Sequence, residues 1–301
     1  MVDKKTSPLI FVIAAAVLWS TGGLFIKWTS ISGLELSFGR SLLAAITVAI
    51  FTRHEGFRLN KVTALASVLY AALLLLFVLA TKETTAANAI FLQYTAPLYL
   101  LILEPLFYKE KFRRRDLITV AACLVGMSLF FVGKLRPQDV TGNLLALASG
   151  FCFACYFLLL RHSKARDVNR ASSVIYGNLL LVLVAAPVGI SVLPHLSRFD
   201  VLCVVYLGVV QIGLAYTLFT VAMARGARSL DAGIVGYVEP VLNPIWVFLL
   251  IGERPSQWAL VGGVIILLAV VRHTLLEAKR AKKGESSSAD FADYAEKTDG
   301  K

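Results

Sequence analysis

The chain has 301 residues, 57% of them apolar and only 16% charged, with a formal net charge of +11 and a mean hydropathy of +0.73. Soluble domains carry about 25% charged residues, and a soluble core of this length could not hide so much apolar surface, which excludes an ordinary soluble enzyme or binding domain. The positive balance would by itself suit a nucleic-acid partner, but the placement of the charges accounts for it otherwise.

In chain order the sequence breaks into ten apolar runs, near 9–29, 33–52, 61–81, 86–108, 114–133, 142–160, 171–190, 200–223, 230–251 and 256–275. A spanning helix needs about 20 apolar residues, and each run falls in the usual range. The first follows Lys4 and Lys5 and so imitates a signal peptide, but it is too long for an h-region and further spans follow it. The expected fold class is therefore an all-α membrane protein with ten transmembrane helices. Residues 1–8 precede the first helix. The tail, 276–301, loses the periodicity and, after its first residue, the large aliphatic side chains, so it is expected to be disordered.

Lysine and arginine set the orientation. With the N-terminus in the cytoplasm, the inner loops and tails hold 23 of them and the outer side six, while Arg40 lies within a span. The inner clusters are Arg53/Arg58/Lys61, Lys109–Arg115, Arg161–Arg170, Arg225/Arg228 and Arg272–Lys283. The positive-inside rule then places both termini in the cytoplasm. This bias uses up the net charge, and no nucleic-acid partner is needed to explain it. The four cysteines (Cys123, Cys152, Cys155, Cys203) all fall in apolar runs. They imply no disulfide framework, and the CxxC of Cys152 and Cys155 reads as two small apolar residues on a membrane helix.

Two stretches repeat at an offset of 143 residues: AANAIFLQYTAPLYLLILEPLFYKE at 86–110 and SLDAGIVGYVEPVLNPIWVFLLIGE at 229–253. Tyr94 matches Tyr237, Pro97 matches Pro240 and Glu110 matches Glu253. Other pieces align with small shifts, such as Phe38-Gly39-Arg40 with Tyr176-Gly177-Asn178. Five spans per half is an odd number, so the second copy must be inverted in the membrane. The loops agree: KEKFRRR follows the first copy and GERPS the second. The expected halves are 9–133 (helices 1–5) and 134–275 (helices 6–10). Inverted repeats with interrupted helices at matching positions point to a secondary transporter whose site lies near the midplane, between the halves.

LWSTGGLFIK in the first helix, FLQYTAPLYLLILEPLFYKE in the fourth and GYVEPVLNPIWVFLLIGE in the ninth resemble the drug/metabolite transporter superfamily, EamA type. The resemblance covers residues 9–275. It implies a ten-helix exporter of small metabolites, often amino acids, with a central cavity between the halves and a place in the bacterial inner membrane. The first copy departs from the family pattern: Lys109-Glu110 stands where the second has Gly252-Glu253, and Glu104-Pro105 adds a charge and a proline.

Charges inside the bilayer single out further residues. Glu239, near the midplane of the ninth helix, is too deep and too short to reach the surface, and a charge there costs roughly 2.5–3.5 kcal/mol on insertion scales. Arg40 lies roughly 10 Å into the second helix by helical rise; it either snorkels outward or faces a cavity. Glu104 is expected to be solvated or locally paired near the inner surface, and Lys27 and Glu35 to be interfacial. Pro97, Pro240 and Pro244 free backbone carbonyls, which membranes tolerate only where protein or water satisfies them, so they mark helix kinks, gating elements or ligand contacts. Glu110 and Glu253 read as packing or loop-fixing groups. Trp19, Tyr94, Tyr156, Tyr176, Tyr216 and Tyr237 lie in span interiors where a polar tip needs a partner. Gln93, Asn178, Gln211 and Asn243 add amides at similar depth, with helix–helix hydrogen bonding as their bland role. The candidate substrate-binding set is Trp19, Arg40, Gln93, Tyr94, Tyr156, Tyr176, Asn178, Gln211, Tyr216, Tyr237 and Glu239.

The expected partners are a small-molecule substrate and the lipid bilayer, with Glu239 as the group through which a proton would couple. No metal or cofactor is expected. The histidines (His54, His162, His195, His273) fall in loops or at helix ends, and neither HExxH nor a phosphate-binding loop occurs, which argues against an intramembrane enzyme and against direct ATP drive. An exporter of cationic drug-like compounds and a passive channel or scramblase remain as alternatives to the amino-acid exporter.

Overall fold

The computed structural model describes residues 7–84, 86–109, 113–129, 132, 140–251 and 256–299, without the side chains of 86, 87, 166, 244, 247, 251 and 280–299. Glu110 and Glu253, and the side chain of Pro244, lie outside the described residues. The regular structure among them is entirely helical. The helices are α1 Pro8–Trp19, α2 Gly22–Trp28, α3 Gly33–Thr52, α4 Lys61–Glu83, α5 Ala86–Gln93, α6 Ala96–Tyr108, α7 Arg114–Leu129, α8 Val140–Arg161, α9 Ser172–Val192, α10 Arg198–Val205, α11 Ala215–Ala224, α12 Ser229–Gly236, α13 Val238–Ile251 and α14 Gln257–Asp299. A π-helical segment, Tyr206–Leu214, joins α10 to α11.

Among the described residues nine helical stretches are long and apolar enough to cross a bilayer. The remaining expected span is α7, whose described part is 16 residues long. The chain is thus a multi-pass all-α membrane protein. Its outer surface is apolar, as lipid requires: Leu183 is 73% exposed and Leu106 72%. α14 continues to Asp299, through the stretch expected to be disordered. No proline interrupts it, and alanine, glutamate and lysine are good helix formers.

Several starts are capped locally. Ser32 and Glu35 form a reciprocal capping box on α3, and Asn60 with Thr63 does the same on α4. Three spans are broken inside the membrane. α1 stops at Trp19, and its freed carbonyls are taken by side chains: Ser20 Oγ donates to Val17 O (2.6 Å) and Thr21 Oγ1 to Leu18 O (2.8 Å). From other helices, Gln211 Nε2 donates to Trp19 O (3.4 Å) and Asn243 Nδ2 to Ser20 O (3.2 Å). The other breaks separate α5 from α6 at Tyr94-Thr95 and α12 from α13 at Tyr237. In both, a proline follows three residues after the tyrosine; it lacks an N–H and its ring collides with the carbonyl four residues back. Tyr94 and Tyr237 are the residues related by the 143-residue offset. Pro244, by contrast, lies within the continuous helix α13.

Two ends of the bundle can be told apart by contacts. At one, Asn60 Nδ2 donates to Lys164 O, Asn169 Nδ2 to Gly56 O, and Arg228 pairs with Glu104, while Arg225 lies over the Phe11 ring. At the other, Lys27 Nζ donates to Thr84 O, Lys82 Nζ to Thr29 O, and Ser30 binds Asp200. The loops rich in arginine share the first end. The broken span α5/α6 begins at the second end and α12/α13 at the first, so they traverse the bundle in opposite senses. α4 packs between α8 and α9, α3 on α9 and the π segment, α1 on α11, and α7 on α14.

His54 and His195 are exposed at the two ends. In a variant free of native cysteines, His54→Cys should react with a membrane-impermeant thiol reagent only from the cytoplasm and His195→Cys only from outside. The opposite pattern would reverse the orientation given by the basic loops.

Candidate functional site

A span that carries arginine and a span that carries glutamate must both turn those groups away from lipid, and here they turn them toward one space. Arg40, in the middle of α3, is 1% exposed, and Glu239, the second residue of α13, is 5% exposed. Both line a cavity of about 20 Å³ together with Trp19, Leu73, Leu74, Phe77, Gln93, Phe153, Gln211, Ile212 and Tyr216. That volume is about what one water needs, so the site is in a contracted state. A second space of about 10 Å³ lies beside it, with Trp19 and Phe153 in its wall as well as Tyr94 and Pro97.

The two charged groups do not pair. Arg40 Nη2 donates to Leu74 O at 3.4 Å and its Nε has no partner, and among the described residues no carboxylate is within ion-pair distance of it. Glu239 Oε2 accepts from the Tyr94 hydroxyl at 2.6 Å. The break at Tyr237 makes this bond possible, because it places the start of α13 beside the start of α6. Gly236 lets Tyr94 approach: a Cβ there would lie 3.1 Å from the tyrosine ring and 3.3 Å from its hydroxyl. Gly208, in the π segment, similarly admits the backbone of α3, since a Cβ would meet Arg40 O at 2.7 Å. The same segment carries Gln211, whose Nε2 is held by Trp19 O while its Oε1 has no partner. The Trp19 Nε1 donor is also unpartnered.

Aromatic rings form one wall. Trp19 packs on Tyr216 (centroids 4.7 Å apart), Phe219 (5.4 Å) and Phe153 (6.0 Å), and Tyr70 packs on Tyr216 (4.7 Å) and Tyr156 (5.3 Å). Tyr94 and Tyr237 are tilted on each other at 5.5 Å, and the buried Tyr237 hydroxyl has no partner. Gln93 donates to Ser149 Oγ (2.7 Å), which in turn donates to Leu73 O (2.8 Å), crosslinking α5, α8 and α4.

The structure thus brings Trp19, Arg40, Gln93, Gln211, Tyr216 and Glu239 to one cavity, with Tyr94 joined to it through Glu239. Other expected site residues lie elsewhere. Tyr176 is only the fifth residue of α9, close enough to the surface for its hydroxyl to donate to Phe57 O at an exposed position (2.9 Å). Asn178 is engaged with Tyr70 OH (3.1 Å) and Val174 O (2.9 Å), as a helix-packing amide. Tyr156 sits behind Tyr70, 3.4 Å from Ser173 Oγ. Asn243 caps the broken first span. Tyr70, Phe153, Ser149 and Trp246 were not anticipated; Trp246 Nε1 donates to Ser20 Oγ at 2.7 Å. Their signal is only that of a polar or aromatic side chain within a span, which many packing residues share.

Two further expectations are corrected at the basic end. Glu104 is 0% exposed and fully enclosed by partners, neither solvated nor paired with a sequence neighbour. His273 lies within α14, 2% exposed, with Nε2 3.0 Å from Asp231 Oδ1, and not at a helix end. Lys109 ends α6 in the left-handed conformation (φ 53°), the position where glycine is usual and where the second copy has Gly252.

A membrane bundle with broken spans and a buried, charged central cavity defines a transporter-type fold, and comparison with known proteins makes it specific. The EamA-like transporter family model matches residues 6–132 and 140–273. The chain belongs to this family, a family of transporters within the drug/metabolite transporter superfamily. Among its relatives are the uncharacterized transporter YwfM of Bacillus subtilis (strain 168), 26% identical over 92% of this chain and 98% of that protein. The pseudopaline exporter CntI of Pseudomonas aeruginosa (strain UCBPP-PA14) is 25% identical over 94% of this chain and 100% of its own. One crystal structure superposes with a TM-score of 0.76 at 20% identity, over 91% of this chain and 98% of its own, a likeness of fold. The family and the apolar spans make this a multi-pass protein of the cytoplasmic membrane.

Tyr94→Phe removes one hydrogen bond to Glu239. Such a bond contributes about 0.5–1.5 kcal/mol, so transport per inserted molecule should fall about fivefold or more. Tyr237→Phe, which removes a hydroxyl without a partner, should leave it within about threefold. Initial transport rates normalised to membrane-inserted protein check both.

Proposed function

We propose that the chain is a secondary exporter of small zwitterionic metabolites, amino acids foremost, and that it works by alternating access between two inverted five-helix repeats, 9–133 and 134–275. The observation that carries this reading is the pair Arg40 and Glu239, which face one cavity without neutralising each other. A zwitterion supplies what each lacks. Its carboxylate meets Arg40 and the Trp19 Nε1 donor, and its ammonium meets Glu239, the free Gln211 Oε1 and an aromatic face, where cation–π attraction adds about 0.5–2 kcal/mol. The aromatic wall of Trp19, Phe153 and Tyr216 suits an apolar body between the polar ends. A relative named as an exporter of pseudopaline supports export of a metabolite. The reversed courses of the two broken spans support the inverted repeat.

A purely cationic drug-like substrate is the second reading, favoured by Glu239 and the aromatic rings. Arg40 stands against it, because an unpaired buried cation on the same wall repels such a ligand. A passive channel is not favoured by a cavity contracted to the volume of a water.

Counterflow into proteoliposomes with labelled amino acids, nucleosides, sugars and quaternary amines tests the proposal. Saturable exchange of one or more amino acids is expected. Uptake confined to quaternary amines and unaffected by excess amino acid would sink the zwitterion reading, and uptake without saturation or counterflow would indicate a channel. Proton coupling is proposed to run through Glu239, which accepts from Tyr94 and shares the cavity wall with Arg40, Gln93, Gln211, Trp19 and Tyr216. Glu239→Gln should then insert normally, lose most of its transport, and retain no dependence on an imposed pH gradient. A variant that still responds to the gradient would separate coupling from this residue.

A further inference from the structure

Away from the central cavity, at the basic end of the bundle, lies a second cluster of charges that transport chemistry does not use. Glu104 of α6 is wholly buried between two arginines: Arg228 Nε is 2.8 Å from its Oε2 and Arg161 Nη1 is 3.3 Å from its Oε1. The backbone N–H of Leu230, in the first turn of α12, donates to it at 3.0 Å. Arg228 reaches on to Asp116 Oδ2 of α7 at 2.8 Å and lies 3.6 Å from Asp231 Oδ1, which contacts His273 of α14. Burial alone would lower the Arg228 guanidinium, but Glu104, Asp231 and Asp116 outweigh it and hold it above its usual value. The cluster therefore ties the second half of one broken span, α6, to the first half of the other, α12. Below it, toward the cavity, come Leu100 against Gly233 and then Tyr94 on Glu239.

The repeat offers a comparison within the same chain. At the 143-residue offset, Glu104 corresponds to Val247, Arg228 to Thr85 and Asp231 to Asn88. All three ionic positions are neutral in the other copy. At the opposite end the described contacts include single ions on uncharged partners: Lys27 on Thr84 O (2.7 Å), Lys82 on Thr29 O (3.1 Å), and Asp200, which accepts from the Ser30 N–H (2.9 Å) and hydroxyl (2.8 Å). A hydrogen bond with one ionised partner is already roughly twice as strong as one between neutral groups, so both ends have strong bonds; the basic end differs in pairing ion with ion, where removing either leaves the other buried and uncompensated.

We propose that Glu104 and Arg228 form a one-sided ionic latch that holds α6 against α12, keeps the basic end of the cavity shut, and biases the resting protein to open at the other end. This rests on the alternating-access reading above and deepens it: two inverted halves alone would make the two openings near-equivalent, and the latch makes them unequal. Opening toward the basic end requires the pair to separate, with water entering to hydrate both ions.

The test places a cysteine beneath the latch. Leu100→Cys, in full-length protein lacking native cysteines, is assayed with a membrane-impermeant thiol reagent in right-side-out and inside-out vesicles. With the latch intact, labelling from the basic end should be slow. Glu104→Gln, which keeps shape and removes charge, should raise that rate on the order of tenfold, a typical size for a coupling between two states, and lower labelling from the other end. Arg228→Gln should act alike and Arg228→Lys should act less. Equal rises from both ends would mean general loosening, and unchanged rates in both glutamine variants would mean no latch; either result overturns the proposal. If Glu104→Gln fails to insert, Arg228→Gln against Arg228→Lys decides by the same readout. Counterflow in the same vesicles separates the two readings: unchanged labelling in the glutamine variants with normal counterflow removes only the latch, whereas absence of counterflow in the parent removes the transport reading.

Discussion

A backbone carbonyl released inside a bilayer has no water to turn to, and this constraint decides where the molecule can afford its breaks. Regular spans satisfy their own backbone. The interrupted ones need other donors, and at the first of them other helices supply two. The break after Trp19 is closed by Ser20 and Thr21 from its own turn and by Gln211 and Asn243 from two distant segments. The first span is thereby bound to the π segment and to α13. The breaks at Tyr94 and Tyr237 free no long stretch, because each second half begins at once and carries its proline in the first turn, where a missing N–H costs least. The central cavity exists because these breaks meet there.

The charges follow from the same geometry. α13 begins at the break, so Glu239 in its first turn is aimed at the starts of α6 and the neighbouring spans, where Tyr94 is in reach. Arg40 has no break of its own. It is held because α3 lies against two partners at close range, the π segment through Gly208 and α4 through Leu74 O. Asn178, aligned with Arg40 in the repeat, meets the same helix one turn earlier, at Tyr70. One copy thus turns a charged side chain onto the cavity where the other turns a neutral amide into packing. The two positions align in sequence and differ in chemistry.

That division explains what the sequence made legible. Spans, the two breaks marked by Pro97 and Pro240, and the family were visible because length, apolarity and proline act locally and leave a one-dimensional trace, whereas the break after Trp19 carries no proline and was not; Gly33–Thr52 is found at the expected bounds. Depth was also visible, which is why Arg40 and Glu239 could be named. Direction around a helix axis was not. In a span apolar on all sides, no amphipathic stripe tells which face looks inward, so Tyr176, Asn178 and Tyr156 were grouped with Trp19 and Tyr216 on depth alone. Partners distant in sequence were equally hidden. Glu104 and Arg228 are 124 residues apart, and the arginine was indistinguishable from the other loop cations that set orientation. The π segment left only Gly208, Gly213 and a buried glutamine as a trace.

The cavity's unpartnered donors and acceptors have an energetic meaning. Trp19 Nε1, Arg40 Nε and Gln211 Oε1 are buried in this contracted state with no protein partner, and each such group left dry costs about 1–3 kcal/mol. Arg40 Nη2 reaches a protein acceptor only at 3.4 Å, at Leu74 O, so the protein's own contacts leave the three groups unsatisfied. The contracted state is therefore held by the contacts around it, the aromatic wall and the charged cluster at the basic end, and not by satisfaction of the cavity itself. A ligand that brings an acceptor to Arg40 and Trp19 and a donor to Gln211 and Glu239 gives these groups what the protein withholds. Its binding energy would then be available to work against the contacts that keep the ends shut, and an occupied cavity would change face more readily than an empty one.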